Sequence, residues 1–158
     1  MKKVLSMLMV VVLVAAAGSV FAAGSATINV SATVAGICKF STASANLAFG
    51  TLNPDPAAVN APGAGTISFW CTKGVGAPTF AITGYTLGAV RQMSGTGANT
   101  DKLDYSIDSL TPDANTNLGP SAPRTLTLSG TSYVAGANGY NNITADAYSD
   151  SVVLTVIP

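Results

Sequence analysis

Apolar and polar positions alternate along the chain from residue 26. In Ala26-Thr27-Ile28-Asn29-Val30-Ser31-Ala32-Thr33-Val34, the residues Ile28, Val30, Ala32 and Val34 fall on one side, and Thr27, Asn29, Ser31 and Thr33 on the other. A period of two marks a half-buried strand. Runs of this kind predict strands at 26–35, 37–41, 65–73, 78–86, 89–94, 102–108, 124–129, 131–135 and 146–157. Helical periodicity is absent. Asn53-Pro54-Asp55-Pro56, Ala61-Pro62-Gly63, Thr111-Pro112-Asp113 and Gly119-Pro120 are expected to turn the chain between strands, by fixing φ or tolerating turn geometry. Short β-rich runs between such signals predict one all-β sandwich or barrel domain, with no internal repeat and no dividing linker.

Two of these strands carry most of the information. In Thr66-Ile67-Ser68-Phe69-Trp70-Cys71, alternation puts Ile67, Phe69 and Cys71 on the inward face. Trp70 faces the other way. It is expected to cover the second face of the sheet beneath the Pro-rich 52–63 loop, or else to stack on a sugar or a neighbouring subunit. The final run, Tyr148 to Pro158, is long and apolar, with Val152, Leu154 and Val156 on one face. An uncovered apolar edge strand invites pairing with another chain, and no later segment is expected to cover this one. A surplus strand at one end and an open edge at the other are resolved together if the first segment of one molecule fills the edge of the next. That is strand addition, head to tail, and contacts of this kind that do not close build filaments. Ala32 interrupts the branched residues of the first strand. It either marks the register, since a one-residue slip turns the apolar face outward, or is one more small residue in a chain rich in them.

Composition narrows the setting. Lys2 and Lys3, the apolar run 4–17 and Val20-Phe21-Ala22 have the layout of a secretory signal peptide over residues 1–22, cut after Ala22. The apolar run is too short for a transmembrane anchor. Without Lys2 and Lys3, five basic residues face seven acidic ones, all Asp, a net charge of −2. With no basic patch, nucleic acid is not a partner, and so little charge protects the surface poorly against self-association. The chain has no His and no Glu, which removes imidazole triads, His metal sites and a Glu acid or base. In an exported chain, Cys38 and Cys71 are expected to form a disulfide. The alternative of two reactive thiols needs a basic neighbourhood, which Lys39 and Lys73 supply poorly. The bridge closes a loop of about 33 residues, worth roughly 3–4 kcal/mol on the chain-entropy model.

Asp101, Asp104, Asp108 and Asp113 are the one acidic cluster. Carboxylates suit calcium, but their spacing matches no EF-hand loop. Asp104 and Asp108 flank the strand positions Leu103, Tyr105 and Ile107, so turns and solvent-facing positions account for them. Paired carboxylates also serve glycoside hydrolysis, yet nothing nearby raises one pKa or shapes a sugar cleft. The Gly-, Ala- and Asn-rich runs 94–100 and 135–142 are loops without a phosphate-binding fingerprint. No catalytic residue, metal, cofactor or small-molecule substrate is assigned.

One ordered set of segments adds to this reading: Cys38; Leu47-Ala48-Phe49-Gly50; Gly65-Thr66-Ile67-Ser68-Phe69-Trp70-Cys71-Thr72-Lys73-Gly74; Arg91-Gln92-Met93; Leu103-Asp104-Tyr105-Ser106-Ile107; and Tyr148-Ser149-Asp150-Ser151-Val152. With it the chain resembles the spore coat protein U domain family, which includes subunits of archaic (Csu-type) chaperone–usher pili. It departs from the family pattern at Asp108, Leu118-Gly119, Ala147 and Ile157-Pro158. The resemblance implies an incomplete immunoglobulin-like β-sandwich over 37–158, lacking its seventh strand and completed by donor-strand exchange from the N-terminal segment, 23–36, of another subunit. It implies three partners: a periplasmic chaperone that lends a strand first, an outer-membrane usher, and identical or homologous pilin subunits. Ile28, Val30, Ala32 and Val34 then match donor positions, Cys38 and Cys71 the disulfide, and Val152, Leu154 and Val156 the last wall of the acceptor groove.

The expected function is that of a structural subunit, not an enzyme, secreted through the periplasm into an extracellular pilus that serves adhesion and biofilm formation. A single domain of this length suggests a shaft or adaptor subunit. A spore-coat or matrix protein built on the same domain is the alternative, and a secreted carbohydrate-binding module is a third.

Overall fold

The computed structural model describes residues 24–158, so the signal-peptide expectation for 1–22 lies outside the described residues. Eight strands follow in order: β1 (Cys38–Phe40), β2 (Ala61–Cys71), β3 (Thr79–Ile82), β4 (Arg91–Gly95), β5 (Lys102–Pro112), β6 (Arg124–Ser132), β7 (Tyr148–Ser149) and β8 (Leu154–Ile157). The described residues contain no helix. Six strands form one antiparallel sheet in the order β1-β2-β6-β5-β4-β7, and β3 and β8 form a second. Val34–Pro158 is the folded body. Residues 24–33 are exposed throughout and form no strand. Alternation specifies the face a strand would show, but a strand also needs a neighbouring edge to take up its backbone groups.

The two sheets meet over one apolar layer, an immunoglobulin-like all-β arrangement. From β2 come Ile67, Phe69 and Cys71, all buried as their alternation requires. From β6 come Leu126 and Leu128, and from the small sheet Phe80 and Leu154. Phe69 and Phe80 meet edge to face across the layer, with ring centroids 5.0 Å apart. At the other end, Met93, Leu103, Tyr105 and Ile107 pack with Ile82 and Tyr140.

Register shifts in β5 between Ile107 and Ser109, leaving Asp108 as the extra residue of a bulge. Its carboxylate accepts from Ser106 at 2.6 Å and Thr131 at 2.7 Å. Beyond the bulge the parity of the strand changes. Leu103, Tyr105 and Ile107 face the core before it, and Leu110 packs on the core after it.

Several boundaries differ from the sequence expectation. The runs 124–129 and 131–135 are one strand, β6, because Gly130 continues the ladder opposite Gly63 and Ile107. Ala61-Pro62-Gly63 is not a turn but the start of β2, and Thr111 and Pro112 close β5 before the chain turns. The expected strand 146–157 is two, β7 in the large sheet and β8 in the small one. Trp70 is half-buried beside Lys39 near the end of β2. The 52–60 loop does not cover it: that loop docks at the other end of the strand, where Tyr140 Oη donates to the Val59 carbonyl and Asn141 donates to that of Asp55.

Cys38 and Cys71 are bonded, facing one another across β1 and β2 at a sequence separation of 33. The bridge pins β1, the shortest strand of its sheet after β7, to the long strand that centres one core cluster. Replacing both cysteines by Ala is expected to lower unfolding stability by about 3 kcal/mol, read by urea titration. Unchanged stability would show that the β1–β2 ladder holds without the bridge.

Candidate functional site, a groove in the core

Between the sheets the apolar layer is incomplete. A cavity of about 730 Å³ opens there, with room for roughly two dozen waters at about 30 Å³ each. Close-packed interiors hold few voids larger than a single water. Ile67, Met93, Tyr105, Ile107 and Leu128 of the large sheet and Ile82 of the small one form the floor. One wall is Phe40 with residues 42–49, and the other is residues 148–154.

The first wall rests on glycines. Phe49 lies over Gly63 and Gly130, and a Cβ at Gly63 would sit 2.5 Å from its ring. A Cβ at Gly65 would overlap the Asn46 carbonyl oxygen. Glycine at 63 and 65 is therefore needed for close approach, not for a turn. The wall is fastened at its ends, where the Ser41 N–H donates to Ser68 at 2.8 Å and Ala48 exchanges two bonds with Ala64 at 3.1 Å. Between these points, residues 42–47 make no backbone–backbone hydrogen bond among the described residues.

The second wall is held by a carboxylate. After β7 leaves its pairing with β4, Asp150 accepts from Arg91 Nε at 2.9 Å and from the Tyr105 hydroxyl at 2.6 Å. Its other oxygen takes the Ser151 N–H at 2.7 Å. The chain then crosses to the small sheet, where Val153 accepts from the Thr83 N–H at 2.9 Å before β8 begins. This anchor interrupts the expected single strand. Partial burial opposes charge on Asp150, but its bonds from Tyr105, Arg91 and Ser151 outweigh that and hold its pKa below the usual carboxylate value. Burial, reinforced by the neighbouring Asp150 carboxylate, pushes the Tyr105 phenol up to about 12, so it remains a donor.

A family model described as Spore Coat Protein U domain matches residues 24–155. The chain belongs to the spore coat protein U domain family. No curated protein and no solved structure matches it.

The structure distributes the expected site residues of this spore coat protein U domain unevenly. Val152 and Leu154 line the groove, while Val156 lies further along β8, opposite Phe80. Ile28, Val30 and Val34 are 84%, 89% and 81% exposed, and Ala32 is also exposed. The Asp cluster is dispersed. Asp101 accepts from Thr144, Asp104 from Gln92 and Asp113 from Arg124, and no group of metal-ligating side chains occurs among the described residues. At Asp113 burial is opposed and outweighed by the Thr125 N–H, Arg124 and Asn115, which hold its pKa down to about 2.

Sequence reasoning did not place the 42–49 wall or the Arg91–Asp150–Tyr105 anchor. Glycines at 63 and 65, two apart on one strand face, were the available signal for the wall. Gly65→Ala is expected to displace that wall and to lower stability by about 1–3 kcal/mol, as overpacking does, in a urea titration. A change smaller than this would show that the wall yields easily. Asp150 carries a folded pKa below its unfolded value of about 3.9. Its contribution is therefore complete above that pH and lost as acid takes the solution down through the folded pKa. Asp150→Asn is expected to flatten the fall in melting temperature below pH 4, and an identical acid profile would refute this role.

Proposed function

We propose that this protein is a structural subunit of an extracellular fibre, assembled head to tail, in which residues 26–34 of one copy fill the groove of the next. The observation that carries this reading is the groove itself: an apolar floor between two chain segments, one of which, 42–47, has unused backbone groups. A β-strand satisfies such a site in full. It covers the floor with alternate side chains and bonds to the walls with its main chain. A small ligand gives the walls no such ladder, which disfavours the carbohydrate-binding module.

The segment 26–34 has the matching chemistry. Its apolar face carries Ile28, Val30 and Val34, each worth ~1.5–3 kcal/mol when buried, with Ala32 adding less, and all are exposed. Main-chain bonds add roughly 0.5–1.5 kcal/mol apiece. On this reading residues 23–36 are the donor, 37–158 the acceptor domain, and Val152 and Leu154 contact the incoming strand. A periplasmic chaperone would fill the groove before an outer-membrane usher exchanges it for the next subunit, and the fibre would serve adhesion and biofilm formation without any catalytic step. The family description favours a second setting, a spore coat or matrix, in which the same exchange proceeds without an usher.

The mature chain is expected to form SDS-resistant ladders that collapse on boiling, and deletion of residues 23–35 to abolish them. A peptide of residues 24–36 added to the deletion variant is expected to raise its melting temperature by several degrees, as saturating ligand does. Ladders that persist after the deletion would sink the proposal.

A further inference from the structure

The groove begins only a few residues after the segment proposed to fill a neighbour's groove, so self-filling is the competing outcome. For residues 26–34 to lie along their own 40–49 wall, the chain must reverse before Cys38, which is already paired with Cys71 in the ladder and bonded to it. That leaves Ala35-Gly36-Ile37 as the place for the turn. A glycine in such a position ordinarily favours a tight hairpin, because two-residue hairpin turns require positive φ.

The structure holds these three residues in another conformation. The Thr72 N–H donates to the Ile37 carbonyl at 2.9 Å, extending the β1–β2 ladder one step beyond the disulfide. The return bond does not go to the Thr72 carbonyl, which accepts from Val75 N–H at 3.1 Å as the chain turns away. Thr72 Oγ1 takes its place. It accepts from the Ile37 N–H at 3.2 Å and donates to the Ala35 carbonyl at 3.1 Å, with the Ile37 carbonyl further off at 3.4 Å. The 72–75 turn also folds over Gly36, where a Cβ would meet Val75 Cγ2 at 3.1 Å. Gly36 is not among the glycines with positive φ.

We infer that Thr72 is a positioning residue that keeps Ala35–Ile37 from turning and thereby directs the preceding segment to another subunit rather than to its own groove. The inference rests on the donor-strand reading above. One hydroxyl substitutes for a backbone acceptor and also binds the Ala35 carbonyl, so its loss frees the Ala35 end of the would-be turn and leaves Ile37 held by the Thr72 N–H alone. The disulfide beside it fixes where the clamp sits, but does not itself hold Ala35 or Gly36.

The test compares mature wild type, Thr72→Val, which keeps the shape and the N–H but loses the hydroxyl, and Thr72→Ser, which keeps the hydroxyl. Each is refolded at low concentration, and unboiled SDS-resistant monomer and ladder are quantified. Uptake of a fluorescent peptide of residues 24–36 shows whether the monomer's groove is already filled. Thr72→Val is expected to raise the ratio of filled monomer to ladder on the order of tenfold, as loss of two hydrogen bonds implies, with Thr72→Ser close to wild type. Ala35→Asn, at an exposed position, sets the hairpin-favouring Asn-Gly pair before Ile37 and is expected to shift the ratio the same way. It decides the question if Thr72→Val does not fold. Wild-type ladders with an unchanged partition in the variants would overturn the clamp alone. Wild type that forms no ladder and takes up no peptide would overturn the clamp and the donor-strand reading together.

Discussion

Everything distinctive about this domain follows from an apolar layer that its own two sheets do not fill. A sandwich is stable when each inner face is covered and each buried backbone group is bonded. Here the small sheet has two strands against six, too narrow to roof the floor formed by Ile67, Tyr105, Ile107 and Leu128. The proposed reading supplies what would cover it. A strand is apolar on one face and bonds along its length, which is why a donated strand is the proposed cover.

An unfilled layer tends to collapse, so whatever keeps the walls apart matters as much as what lines them. Two unlike devices do so. One is steric: Phe49 and the Asn46 backbone settle onto Gly63, Gly65 and Gly130, which sets the height of the first wall above the sheet. The other is electrostatic: Asp150, tied to Arg91 and Tyr105, stops the last part of the chain where it leaves one sheet for the other. The two meet the apolar floor at one residue, Tyr105, whose ring belongs to the floor and whose hydroxyl donates to Asp150. Both hold the walls from outside the space between them, as the proposed strand exchange requires.

The sequence was informative about faces and poor about neighbours. Alternation put Ile67, Phe69 and Cys71 inward, and compartment logic joined Cys38 to Cys71, because both depend on residues close together in the chain or on redox conditions. Strand continuity was harder to read. Gly130 and Pro62 look like breaks, yet they sit within β6 and β2 because cross-strand partners and close approach outweigh local propensity. The split between β7 and β8 was hidden for the opposite reason: residues 146–157 were expected as one strand, and only the contact of Asp150 with Arg91, 59 residues away, shows why the run divides. Of the groove, Val152 and Leu154 were legible as part of an apolar edge, whereas the alternation of Ala43, Ala45, Leu47 and Phe49 in the 42–49 wall went unread, because its first two apolar positions are only Ala.

On the donor-strand proposal, a chain that carries both a groove and a segment to fill one must choose between itself and its neighbour, and hydrophobicity cannot make that choice because the buried faces are identical in the two outcomes. What differs is the path between segment and groove. Self-filling confines the reversal to Ala35–Ile37, whereas filling a neighbour's groove leaves these residues in line with β1. Local bonds at that point therefore bear on the difference between the two states while leaving their common core untouched. On the same proposal, three residues and one hydroxyl, adjacent to a disulfide, are where a small free energy has the largest effect on whether the product is a monomer or a fibre.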